Sequence, residues 1–170
     1  MLAKARAGRY ALHMSICYVE SPVGRLAVEA DHDAVTALRW TTAEEHAGAR
    51  SQDPASTILK EARRQLDGYF ARRLTRFDLP LGARGTDFQK RVWAMMSDIP
   101  YGETATYGGL AMALGSGPRP VGMACARNPI PIIVPCHRVL GSGGKEGGFS
   151  GGSGLPTKRQ LLALEGVVLL

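Results

Sequence analysis

Cys136 is followed directly by His137, within Pro135-Cys136-His137-Arg138-Val139. A thiol beside an imidazole is a candidate nucleophile with its proton acceptor. Only the thiolate attacks carbon, and a free cysteine is mostly protonated at neutral pH. The apolar run Ile130-Pro131-Ile132-Ile133-Val134 precedes the pair, and a loop from Gly141 to Gly154 with 8 glycines in 14 residues follows it. This layout suits a nucleophile delivered by a β-branched run beside a substrate gate. On Cys-His adjacency alone, an inert cysteine buried at a strand end fits equally well, since free Cys is commonly buried. A cysteine hydrolase is a further reading, and it requires an oxyanion hole and repeated turnover.

Composition narrows the setting. The chain has 170 residues, room for one ordinary domain or two small ones. Cys17, Cys125 and Cys136 make an odd, scattered count. That argues against a disulfide framework and for a reducing compartment, hence a cytoplasmic protein. There is no CxxC pair and no His/Cys cluster with zinc spacing, so neither a metal site nor a cofactor is expected. His13, His32 and His46 read as solvated or core histidines. The net charge of +6 is shared about equally by the two halves of the chain, which is compatible with a polyanionic partner. No run approaches the ~18 apolar residues that span a bilayer. Met1 to Ala11 carries Lys4, Arg6 and Arg9 without a following apolar segment, so it reads as a basic arm or frayed end, not a secretory signal.

The elements that must position the pair follow from local pattern. Ser15–Glu20, Gly24–Ala30 and Ala34–Trp40 are short apolar and β-branched segments separated by turn residues, a small antiparallel meander. Thr41 to Asp53 reads as a loop. Asp53-Pro54 then reads as N-cap and first residue of a helix to about Arg72, with Ile58, Ala62, Leu66 and Tyr69 at helical spacing. Phe77 to Gly85 connects two halves. Thr86-Asp87-Phe88-Gln89 has capping-box form and opens a helix that Pro100 closes. A second helix starts near Thr104 or Thr106 and ends at Leu114-Gly115. A third runs from Arg119 to Arg127, with Pro120 at its first position, and stops at Asn128-Pro129. This pair is a helix-turn-helix candidate, or equally a plain helical hairpin. The last helix is expected over about Thr157–Glu165, with Leu161, Leu162 and Leu164 facing inward.

Taken together, these residues resemble the O6-alkylguanine-DNA alkyltransferase family (methylated-DNA–protein-cysteine S-methyltransferases). The resemblance covers the C-terminal half. It is carried by Thr86-Asp87-Phe88-Gln89 with Val92-Trp93, Ile99-Pro100-Tyr101-Gly102-Glu103-Thr104, Thr106-Tyr107-Gly108-Gly109-Leu110-Ala111, Asn128-Pro129, the Cys136 segment, and Leu161-Leu162-Ala163-Leu164-Glu165-Gly166. The first half matches only through its element order and Tyr69-Phe70 with Phe77-Asp78-Leu79-Pro80.

The resemblance implies an α/β (α+β) fold. Residues 1–82 would form a small ribonuclease-H-like scaffold domain. Residues 83–170 would form a mostly helical, winged-helix-like domain for DNA binding and alkyl transfer. It implies direct-reversal DNA repair by a monomer, nucleoid-associated if the source is prokaryotic. The protein would bind double-stranded DNA, flip out O6-alkylguanine and transfer the alkyl group irreversibly to Cys136, with O4-alkylthymine left open as a substrate. His137 would accept the thiol proton through a water, because neighbouring side chains of an extended stretch point apart. Glu165 would orient His137, and Asn128 would hinge the active-site segment. Tyr107 would contact the guanine, the carbonyls of Cys136 and Val139 would accept from its exocyclic amine, and the Ser150 amide would donate to O6. Arg119 would fill the vacated base stack, and Gly122 and Ala124 would let the helix approach phosphates. Lys90, Arg91, Arg127 and Arg138 are candidates for backbone contacts or internal pairing.

The chain departs from the family pattern in four places. The turn between Leu114 and Arg119 is short, Pro120 replaces a usual alanine, Phe149 stands where tyrosine is common, and Ser153-Gly154 resembles an insertion. Two rivals remain beside the hydrolase: a lesion-binding alkyltransferase-like protein, which would lack the acceptor cysteine, and a regulator using the helix-turn-helix alone.

Overall fold

The structure is a computed structural model that describes residues 14–42, 45 and 56–168. The expected basic arm, His13, His46 and the Asp53-Pro54 helix start lie outside the described residues. A three-stranded antiparallel meander in the order β1-β2-β3 comes first: β1 (Ser15–Val19), β2 (Leu26–Ala30) and β3 (Val35–Trp40). α1 (Thr57–Phe70) covers it, with Ser56 Oγ accepting from Leu59 N–H as the N-cap. Leu59, Ala62, Leu66 and Tyr69 of α1 are buried, as are Val19, Leu26, Val28 and Leu38 of the sheet. Full burial of one large apolar side chain stabilises by about 1.5–3 kcal/mol, so this face dominates the first half.

The connection after α1 runs along the edge of β3. Val35 N–H donates to Pro80 O at 2.9 Å, and Gly82 N–H returns to Val35 O at 2.8 Å. α2 (Asp87–Ser97) then opens with the expected capping box. Thr86 Oγ1 accepts from Gln89 N–H, and Gln89 Oε1 accepts from Thr86 N–H. Trp93 on its buried face donates from Nε1 to Ala124 O at 2.8 Å.

The helix pair is α3 (Tyr107–Ala113), which Thr106 caps, the later of the two starts its sequence left open, and α4 (Pro118–Ala126). α4 starts one residue earlier than its pattern suggests. Gly117 is the N-cap and Pro118 is at N1, which moves Pro120 to the third position. Pro120 is still tolerated, because that N–H belongs to the unpaired first turn. Ala124 is buried under Trp93 and does not face outward.

Before α3 lies a two-residue strand, β4 (Ala105–Thr106). It pairs in parallel with β5 (Val139–Leu140). This short ladder went unread in the sequence, yet it aligns the start of α3 with the Cys136 segment. α5 (Leu155–Leu164) closes the chain, beginning two residues before Thr157. Leu161 and Leu162 are fully buried, whereas Leu164 is only partly so.

Candidate active site

The Cys136 segment is held by a turn, where the sequence suggested a strand. Asn128 Nδ2 donates to Val134 O at 2.8 Å, and its Oδ1 accepts from Ile130 N–H at 3.0 Å. The side chain thus replaces ladder partners across Ile130–Val134. Pro131 and Pro135 have no N–H to offer a ladder. Ile132 is forced to φ 74°, a strained conformation for a β-branched residue, and its burial among apolar neighbours holds it there. Leu38 N–H of β3 donates to Pro129 O at 2.9 Å, which docks this turn on the sheet.

Cys136–Arg138 forms a single 3₁₀ turn instead of an extended stretch. Cys136 is half-buried and His137 fully buried. His137 Nε2 lies 2.7 Å from Glu165 Oε1 at the C-cap of α5. Burial pushes the Glu165 carboxyl up, but hydrogen bonds from His137, Arg138 and Tyr69 outweigh it and hold it at about 2. An ionised carboxylate only accepts, so Nε2 carries the proton and Nδ1 keeps its lone pair. Nδ1 is buried and has no hydrogen-bond partner among the described residues. Burial also lowers the His137 pKa, with Glu165 opposing, which favours the neutral ring. The result is an oriented, uncommitted base next to Cys136. Burial pushes the Cys136 thiol up, opposed by Asn128 and Lys158, so a proton acceptor is required for attack.

Cys136 opens into a largely apolar cavity of about 670 Å³. Tyr107, Arg119, Gly122, Phe149 and Ser150 line it with Cys125 and Met123. Burial pushes the Tyr107 hydroxyl up to about 12, so it remains a donor at neutral pH. It now makes a long bond, 3.4 Å, to Gly148 O. The glycine loop lies directly on the Tyr107 ring, since a Cβ on Gly147 would come within 2.7 Å of it. From behind, Trp40 of β3 meets Phe149 edge-on at 6.2 Å, and a Cβ on Gly151 would come within 2.5 Å of the indole.

The structure therefore brings Cys136, Tyr107, Arg119, Gly122, Phe149 and Ser150 to one cavity, with His137, Glu165 and Asn128 behind it. Val139 does not line the cavity. It is fully buried, and its carbonyl accepts from Lys158 Nζ at 2.7 Å. Gly122 faces the Tyr107 ring, with its Cβ direction 4.0 Å from the ring. Arg138 pairs internally, from Nε to Glu165 Oε2 at 2.8 Å and from Nη1 to Ile99 O at 2.6 Å. Three residues escaped the sequence reading. Lys158 sits three residues before Leu161 and Tyr69 three residues after Leu66, each on an apolar helix face; the sequence reads Tyr69 there only as a packing residue and part of the family match, and its polar group is the one sign of a further role. Trp40 read simply as a strand end.

Comparison with known proteins gives one answer. The family model for the 6-O-methylguanine DNA methyltransferase ribonuclease-like domain matches residues 14–83, and that for the DNA binding domain of the same family matches residues 87–167. The methylated-DNA–protein-cysteine methyltransferase of Methanosarcina acetivorans is 43% identical over 154 residues, spanning 86% of this chain and 95% of the relative. That of Mycobacterium tuberculosis is 44% identical over 149 residues, spanning 86% and 89%. A crystal structure of Mycobacterium tuberculosis O6-methylguanine methyltransferase superposes with a TM-score of 0.75 at 42% identity, covering 89% of this chain and 92% of that one. A structure of Mycobacterium tuberculosis OGT in complex with DNA gives 0.74 at 44% identity, covering 87% and 90%. With both halves matched in order and this identity over nearly the whole chain, the protein belongs to the 6-O-methylguanine DNA methyltransferase family.

Proposed function

We propose that this protein repairs O6-alkylguanine in duplex DNA by moving the alkyl group to Cys136 Sγ, once per molecule. The observation that carries the reading is the base behind the thiol, namely His137 with Nε2 committed to Glu165 and Nδ1 free. The Cys136 proton passes to Nδ1, directly or through one water. The thiolate attacks the alkyl carbon, an S–C bond forms, and the C–O6 bond breaks. Guanine leaves as an anion and takes up a proton from solvent, while His137 returns the thiol proton to solvent, so the step balances. Tyr107 exchanges its weak bond to Gly148 for the base, and a donor placed at the developing charge lowers the barrier. A thioether has no route back to thiol here, so the reaction is stoichiometric.

In this reading Arg119, exposed in the first turn of α4, occupies the stack left by the flipped guanine. Residues 83–170 carry DNA binding and transfer, and residues 1–82 support them. The protein acts as a monomer in the cytoplasm. A duplex whose restriction site is blocked by O6-methylguanine tests the reading. Incubation should restore cleavage up to one duplex per protein molecule and no further. Restoration beyond one equivalent, or none, would overturn it.

A further inference from the structure

Glu165 Oε1 takes three donors. Tyr69 Oη lies at 2.6 Å, His137 Nε2 at 2.7 Å and Arg138 Nη2 at 2.9 Å. Two of them belong to the Cys136 turn. Tyr69 belongs to α1, 96 residues away in the chain and on the sheet-bearing half. Its side chain is fully buried, and Phe70, Phe77 and Tyr101 hold the ring with centroids 5.2, 5.3 and 6.0 Å away. Ring packing therefore aims the hydroxyl at Glu165 whether or not His137 is charged.

We propose that Tyr69 is a positioning residue for alkyl transfer, fixing Glu165 toward His137 and sharing its charge, so that it sets how strongly His137 takes the Cys136 proton. The inference rests on the Cys136–His137–Glu165 reading above and extends it into the half expected to be scaffold. A carboxylate oxygen shared among three donors binds each less strongly than one shared between two. Loss of the Tyr69 hydroxyl leaves more of Oε1 for the imidazolium. Other charged or titratable groups facing the pair are Arg138 from the turn, Lys158 from α5, and Tyr101 after α2 with Arg72 beyond it. None of these changes in the variants below, so a shift reports the Tyr69 bond.

The test is the single-turnover rate of methyl transfer from an O6-methylguanine duplex, followed from about pH 4 to pH 9, which extends below the ordinary histidine range because burial lowers the His137 pKa. Wild type is compared with Tyr69→Phe and with a chain carrying 3,5-difluorotyrosine at position 69. The fluorinated phenol is a stronger donor, and burial beside Glu165 keeps it protonated. The acid limb should move up by about half a pH unit in Tyr69→Phe and down in the fluorinated protein. Superimposable profiles overturn the proposal even where Tm falls, because a packing role alone does not move the limb. If Tyr69→Phe fails to fold, the fluorinated protein, which keeps ring and hydroxyl, decides by itself. A wild type that transfers no methyl group overturns the active-site reading instead.

Discussion

Lys158 Nζ donates to the carbonyl oxygen of Val139 at 2.7 Å, and also to that of Glu146. A fully buried ammonium thus ties β5, the glycine loop and α5 together immediately behind Cys136. Burying a charge is costly unless strong acceptors meet it. Two backbone carbonyls do so here, one in β5 and one in the glycine loop.

Lys158→Met keeps most of the stem and removes both bonds. Two buried carbonyls losing a charged donor should cost about 2–4 kcal/mol. At this chain length that lowers Tm by roughly 5–15 °C. Calorimetry on the purified variant checks this, and an unchanged Tm would contradict the stitching role.

Glu165 makes stability pH-dependent. Its carboxyl is held at about 2 against an ordinary 4.5. A depressed folded pKa contributes stability that is complete above 4.5 and is lost as pH falls toward 2. Glu165→Gln should therefore be less stable at neutral pH and lose less on acidification through that window. Urea unfolding at a series of pH values reads both, and parallel declines for the two proteins would contradict the assignment.

Arg119 is exposed at the rim of the cavity. Arg119→Ala should slow repair in duplex DNA by about 10-fold or more, because a vacated stack costs a few kcal/mol to leave unfilled. Transfer from free O6-benzylguanine, which needs no flipping, should change far less, and Tm should not move. Equal losses on both substrates would remove the stacking role.

What could be read in the sequence was local. Thr86 and Gln89 announce their capping box across three residues, and the Cys136 segment, Asn128-Pro129 and Glu165 stand in short runs that resemble one family. The strand-like Ile130–Val134 misled, because Asn128 satisfies the backbone from outside the run and two prolines deny it a ladder. The start of α4 shifted because Gly117 caps it with backbone alone, leaving no side-chain signal. Lys158 and Arg138 act through contacts between segments far apart in the second half, and Tyr69 through a contact made only after the two halves meet. A lysine or tyrosine on an apolar helix face is an anomaly in one dimension, and its partner is named only in three.

Val139 shows the converse. The resemblance placed its carbonyl on the substrate, and its position in the chain supports that. The structure gives the same carbonyl to Lys158, in a residue that does not line the cavity.

The most direct test of the account is peptide mass spectrometry after mixing the protein with a duplex containing one O6-methylguanine. One added methyl group should appear on the Cys136 peptide, at no more than one equivalent per protein. Cys17 and Cys125, whose thiols burial pushes up to about 11 and 12, should stay unmodified. Cys136→Ser should bind the lesion duplex and gain no methyl group. A methyl group on another residue, or lesion-selective binding by the wild type without any adduct, would contradict the assignment of Cys136 as acceptor.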